Sequence, residues 1–132
     1  MTYKALIIDD EPDIRNLIHI TLKRMNIDCA CAADFSEAIA LLEQQDFHFC
    51  LTDMKLPDGN GMDLIALANK KYKKMPIAMI TAFGNMETAV AALKSGAFDF
   101  IAKPIDLARL REVVTAALKL TEVSLATDAN KS

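Results

Sequence analysis

Short apolar runs alternate with segments whose apolar residues recur every three or four positions, and the alternation continues along almost the whole chain. Tyr3 to Ile8, Ile27 to Ala32, Phe49 to Thr52, Ile77 to Thr81 and Phe98 to Ala102 are runs of strand length. Runs this short and apolar suit strands covered on both faces. Between them the spacing turns helical. Pro12 opens the first helix, where a missing N–H costs nothing, and Ile14, Leu17, Ile18, Leu22 and Met25 form its stripe. Ser36 is the expected cap of a second helix ending at Gln45, with Ala38, Ile39 and Leu42 inward. The turn cluster from Leu56 to Gly61 leads into a third, Met62 to Lys71. Asn85 caps a fourth that carries Met86, Ala89, Val90 and Leu93 and stops at Gly96. Asp106 caps a fifth with Leu107, Leu110, Val114, Ala117 and Leu118 inward. Strand and helix units in alternation predict an α/β fold: a doubly wound, five-stranded parallel sheet with helices on both faces and right-handed crossovers. Residues 1–120 form the expected domain. From 121 to 132 the apolar period is lost, so that stretch reads as a helix end or linker, with further chain expected beyond it.

Composition narrows the function classes. A chain of 132 residues with 52% hydrophobic residues has material for one compact core, which excludes disordered and low-complexity readings. The formal charge is −3, without the basic excess that a domain binding nucleic acid by itself usually carries. No apolar run approaches the roughly 20 residues of a membrane span, and the first residues lack a signal-peptide pattern, so a cytoplasmic domain is expected. Cys29 and Cys31 have strand-like spacing that puts both on one face; with no second pair or nearby His, the 3 cysteines read as buried thiols in a reducing compartment. His19 and His48 read as surface or packing residues.

In such a sheet the working crevice lies outside the carboxyl ends of the strands, at the switch point of strand order. Asp9 and Asp10 end the first strand, Asp53 the third, Thr81 the fourth and Lys103 the fifth, so all should crowd one edge. Each alone has a bland explanation: caps of the first helix for Asp9, Asp10 and Glu11, a turn former for Asp53, a strand residue for Thr81, a solvated charge for Lys103. Together they are harder to dismiss. Carboxylates this close repel unless a cation compensates, and Mg²⁺ suits a few carboxylates, several waters and a phosphate. A metal, an ammonium and a hydroxyl around one carboxylate is the equipment of phosphoryl transfer, with Asp53 able to act as nucleophile.

These pieces, IIDDEPD, LTDMKLPDGNG, ITAFG and FDFIAKPID, resemble the receiver domains of two-component response regulators over about residues 4–120. The resemblance implies the flavodoxin-like strand order 2-1-3-4-5. It makes Asp53 the phospho-acceptor, Asp10 a direct Mg²⁺ ligand, Asp9 a ligand mostly through water, and the Lys55 backbone carbonyl the remaining protein ligand. Thr81 would grip the phosphoryl group, Lys103 would pair with it, and the bond before Pro104 would be cis. Phe100 occupies the place of the family's switch aromatic, where many members have Tyr. Lys55 and Phe83 hold positions that tune hydrolysis of the acyl phosphate; neither resembles a water-positioning group, which implies a phosphorylated state lasting minutes or longer. The implied partner is a sensor histidine kinase. The domain would be no enzyme in its own right, only a receiver that assists its own phosphorylation and dephosphorylation.

The run ITAFGNMETAVAALKSGAFDFIAKPID is most similar to receivers of the nitrogen-regulator (NtrC-like) group, and LPDGNGMDLI is similar to regulators of type IV pilus genes within it. That similarity implies AAA+ and DNA-binding output domains on the full-length chain and activation with a sigma-54-type factor. A homodimer through the fourth and fifth helices, with charges such as Lys94, Asp99 and Arg111 on its face, is compatible with it. Two other readings stay open. A haloacid-dehalogenase-like phosphatase also uses a phospho-aspartate and Mg²⁺, but there the nucleophile follows the first strand. A flavodoxin-like FMN carrier would need a phosphate-binding first loop, which Asp9, Asp10 and Glu11 oppose. Gly59, Gly61 and Gly96 do not form a phosphate-cradling loop.

Overall fold

The computed structural model describes residues 2–82 and 85–131, with side chains to Val123. The strands are β1 (Tyr3–Ile8), β2 (Ile27–Ala32), β3 (Phe49–Asp53), β4 (Lys55–Leu56), β5 (Gly59–Asn60), β6 (Ile77–Thr81) and β7 (Asp99–Ala102). The helices are α1 (Pro12–Arg24), α2 (Phe35–Gln44), α3 (Gly61–Lys71), α4 (Met86–Ser95) and α5 (Leu107–Lys131). Five parallel strands form one sheet in the order β2-β1-β3-β6-β7. This is the expected 2-1-3-4-5 order, because β4 and β5 are a separate two-residue antiparallel pair within the turn after β3.

Successive strand residues face opposite sides, and the two sides bury different clusters. Leu6, Ile8, Cys50 and Met79 point toward α2, α3 and α4, meeting Leu42, Leu64, Ile65 and Ala92. Ala5, Ile7, Phe49, Leu51 and Ile80 point toward α1 and α5, meeting Ile18, Leu22, Leu110, Val114 and Ala117. Cys29 and Cys31 both pack on the second cluster, and Ala30 between them packs on the first, as their spacing predicts. All three cysteines are free. Burial pushes the Cys29 thiol up to about 12, with the neighbouring Cys31 and Asp28 adding to it, and raises Cys50 further.

Three local expectations are corrected. The cap of α2 is Asp34, whose carboxylate accepts from the Glu37 N–H at 2.8 Å; Ser36 lies inside the helix. Asp58, in the β4–β5 turn, accepts from the Phe35 and Ser36 N–H groups and the Ser36 hydroxyl, at 2.7, 3.1 and 2.7 Å. Hydroxyl and N–H donors hold the Asp58 carboxyl below its usual range, and this contact engages Ser36 with the turn. In α4 the small Ala89 and Ala92 are buried, while Met86, Val90 and Leu93 are exposed; in α5 Val113 takes an inward place and Leu107 stays outside. Small residues let a helix approach the sheet closely, and its larger side chains are then left on the far side. Asn85, Asn60 and Gly96 act as end signals: each Asn accepts from the backbone of its first turn, and Gly96 has φ +113°. The backbone of 121–131 is helical and continuous with α5. No helix among the described residues is long and apolar enough to cross a membrane.

Candidate functional site

The sequence-predicted residues meet at the carboxyl ends of β1, β3, β6 and β7. Asp9 follows β1 and is wholly buried; its Oδ1 accepts from the Glu11 N–H at 2.9 Å, which fixes the loop into α1. Arg15 donates to the Asp9 carbonyl at 2.7 Å from the first turns of that helix. Asp53 ends β3 and is buried, and Thr81 ends β6 and is buried. Carboxylate oxygens of Asp9, Asp10 and Asp53 all lie within 4.8 Å of one another, with Asp10 alone exposed. Lys103 follows β7; its N–H donates to the Thr81 carbonyl at 2.8 Å, tying the two strand ends together. The Lys103–Pro104 bond is cis, as expected.

The Lys103 ammonium binds this group together. Nζ donates to Asp53 Oδ2 at 3.1 Å and to Glu11 Oε2. It also faces Asp9 Oδ2 at 3.1 Å, although that buried oxygen accepts no hydrogen bond of good geometry. Burial opposes a charged lysine, yet the carboxylates of Glu11, Asp9 and Asp53 outweigh it and hold the ammonium above the ordinary lysine range. For Asp9, burial comes first and the Asp53 charge adds to it; the Glu11 N–H and Lys103 pull the other way, and the balance raises its pKa.

Around this centre, Lys55 presents its N–H to Asp53 Oδ1 at 3.4 Å, and its side chain is exposed. The Thr81 hydroxyl donates to Met54 Sδ at 3.7 Å. Phe100 is half-buried in β7 and packs on the same cluster as Met54. Phe83 lies outside the described residues. Three contributors were not predicted. Glu11 was read as a cap, but it has no side-chain cap bond and reaches Lys103 instead. Met54 lies under Thr81. Gly61 packs so close to β3 that an added Cβ would stand 2.2 Å from the Asp53 carbonyl oxygen, and its N–H donates to the Met54 carbonyl at 2.8 Å. The Gly after a capping Asn was the one sequence signal for that contact.

The donor set is chemically suited to a hard divalent cation: three clustered carboxylates, one with a buried oxygen lacking a proper hydrogen bond. A separate concavity of about 590 Å³ lies at the amino ends of the strands, lined by Phe47, His48, Tyr72 and Lys70, Lys71, Lys73 and Lys74, and carries none of these residues. His48 there is a packing residue, accepting from the Lys4 N–H at 3.0 Å and stacking edge-on against Tyr3.

Comparison with known proteins agrees with this geometry. The chain is 56% identical over 117 residues to the response regulator protein PilR of Pseudomonas aeruginosa, covering 89% of this chain and 26% of that protein. The chain thus spans about a quarter of the length of the curated relatives it matches first. Among solved structures, NtrX from Brucella abortus superposes with TM-score 0.89 at 32% identity, covering 97% of this chain and 30% of that one. The beryllofluoride-activated NtrC4 receiver domain dimer superposes with TM-score 0.84 at 26% identity, covering 89% and 98%. The model of the response regulator receiver domain matches residues 5–115, and the chain belongs to that family.

Proposed function

We propose that this chain is a phosphorylation-dependent switch in which Asp53 accepts a phosphoryl group from a sensor histidine kinase. The observation that carries the reading is the Lys103 ammonium 3.1 Å from Asp53 Oδ2, beside the oxygens of Asp9 and Asp10. Asp9, Asp10, Asp53 and the Lys55 backbone carbonyl would hold Mg²⁺, which when bound offsets the charge of the transferring phosphoryl oxygens. The chain's own residues do the rest. An Asp53 carboxylate oxygen attacks phosphorus in line; the bond to the donor imidazole breaks, its electron pair leaves with the imidazole, and an acyl phosphate results. Lys103 neutralises charge on the transferred group, and the Thr81 hydroxyl turns from Met54 to donate to it. Phe100, without a hydroxyl, follows by packing alone. Phosphorylation adds roughly −1.5 to −2 charges, and the switch is thrown only as far as the phosphorylated form is favoured.

Residues 1–120 act as the receiver, and 121–132 lead toward AAA+ and DNA-binding output domains of a sigma-54-type activator. Similarity to PilR over a quarter of that protein's length supports this assignment. Pairing of two copies through α4 and α5 is supported by the exposed Met86, Val90 and Leu93 and by the NtrC4 receiver dimer. The receiver assists its own phosphorylation and dephosphorylation without turning over a substrate. The test is the intact mass after acetyl phosphate treatment, with and without Mg²⁺. One added phosphoryl group is expected with Mg²⁺ and none in Asp53→Asn. Undiminished labelling of that variant rules out Asp53 as the acceptor, and equal labelling after chelation rules out the metal.

A further inference from the structure

The ammonium of Lys103 has three N–H bonds and three carboxylates around it, those of Asp9, Glu11 and Asp53. Glu11 Oε2 and Asp53 Oδ2 each accept one of these hydrogens, and the third faces Asp9 Oδ2 at 3.1 Å without good hydrogen-bond geometry. A phosphoryl group on Asp53 has to compete for this ammonium with the carboxylates already around it. The Asp9 side chain is 0% exposed and Asp53 is the reacting group itself, whereas the Glu11 side chain is 56% exposed and can take water in exchange. Releasing Asp9 would leave a buried carboxylate short of its partner, so Glu11 is the contact that yields. Glu11 enters from the start of α1, after β1, and its own N–H is already committed to Asp9 Oδ1. Its carboxylate reaches the rim through the Lys103 contact, where it competes with the transferred group for the same ammonium.

We propose that Glu11 is a positioning residue that holds Lys103 in the unphosphorylated arrangement and releases it when Asp53 is modified. This rests on Asp53 being the acceptor. Glu11 thus biases the domain toward its resting state, and removing it leaves Lys103 free to meet the phosphoryl oxygens. An exposed ion pair contributes little, so the effect is a moderate shift in the affinity for a phosphoryl mimic, about three- to fivefold.

The experiment is a beryllofluoride titration at saturating Mg²⁺, read by fluorine and amide NMR, on the wild type, Glu11→Gln, Glu11→Ala and Asp13→Asn. Asp13 is the other acid in the first turn of α1, so its variant measures the effect of removing one nearby negative charge. Both Glu11 variants are expected to reach half-saturation at about three- to fivefold lower mimic concentration than wild type, with the gain shrinking at high salt, and Asp13→Asn is expected to match wild type. Glu11 variants that bind the mimic as wild type does, or more weakly, overturn the proposal. So does an equal gain in Asp13→Asn, which would reduce the effect to general charge. A wild type that takes neither beryllofluoride nor a phosphoryl group overturns the acceptor assignment instead.

Discussion

Replacing Gly61 by Ala sets two opposed effects against each other, and the structure decides between them. Gly61 is the first residue of α3, where Ala is the better helix former by up to about 1 kcal/mol. Against that gain, the new Cβ would lie 2.2 Å from the Asp53 carbonyl oxygen, 3.1 Å from its carbon and 3.2 Å from the Met54 Cα. All three are backbone atoms, so relief needs a shift of roughly 1 Å of α3 away from the end of β3, and forced repacking of this kind costs about 1–3 kcal/mol. The clash wins, and the net loss is on the order of 1–2 kcal/mol. For a domain of this size that is roughly 3–10 °C in Tm. Where the strain is instead relieved at the end of β3, it displaces the carboxylate that must meet its reaction partner in line, for which a 1 Å error can cost about a hundredfold in rate. Thermal unfolding and the rate of acetyl phosphate labelling measure the two effects separately. Gly59→Ala is the milder comparison, because its Cβ would meet side-chain atoms of Phe35 (Cβ, Cγ and Cδ2) at 3.0 Å and not a backbone oxygen at 2.2 Å. A Gly61→Ala protein that melts with wild type and labels at the wild-type rate refutes the reasoning.

Other substitutions have equally definite outcomes. Phe49→Ala empties a wholly buried site under α1 and α5 and is expected to cost about 3–5 kcal/mol in urea unfolding. Asn85→Ala removes the acceptor for the Thr88 N–H and is expected to cost about 1 kcal/mol without changing the denaturant slope. Asp9→Asn is expected to raise Tm at neutral pH while slowing labelling. The folded pKa of Asp9 is raised, so its charged form is disfavoured above that value, and the gain vanishes below the ordinary aspartate range, where both states are protonated. Asp58 has the opposite sign: its lowered folded pKa gives stability that is present above the ordinary aspartate range and lost as pH falls through the folded value. In Asp58→Asn that acid-side loss should be smaller, as read from melting curves across pH 2–5, a window set by the ordinary aspartate value of about 3.9.

Helix number and the meeting of Asp9, Asp53, Thr81 and Lys103 at one edge were legible because each follows from the alternation of strands and helices and from position at a strand end, whereas the sheet order came from the resemblance to receiver domains. A strand end is a property of the hydrophobic pattern, and the pattern is strong here. What the sequence hid depends on contacts between segments distant in the chain. Ser36 and Asp34 are both good caps by type, and only the approach of Asp58 from 22 residues away engages Ser36 elsewhere. Glu11 reads as one more acid at a helix start until the fold brings Lys103, 92 residues on, against it. The face of α4 was ambiguous for a different reason. Ala89 and Ala92 alternate with larger apolar residues, and periodicity alone cannot say which set a tightly packed sheet will accept.

The lysines at 70, 71, 73 and 74 have a consequence reaching beyond their own concavity. They take four of the fifteen basic residues and none of the eighteen acids, which leaves −7 on the rest of a chain whose total is −3. That negative excess includes Asp9, Asp10, Glu11 and Asp53 at the other end of the strands, roughly 20 Å away. Clusters of opposite sign thus stand at the two ends of the sheet, each partly offset, by Asp46 beside the lysines and by Lys103 among the acids. In the field of a positively charged docking surface the molecule will rotate, before any contact forms, so that the acidic rim leads and the lysines trail. Encounters should be oriented at low ionic strength and lose that orientation as the Debye length shrinks below about 10 Å.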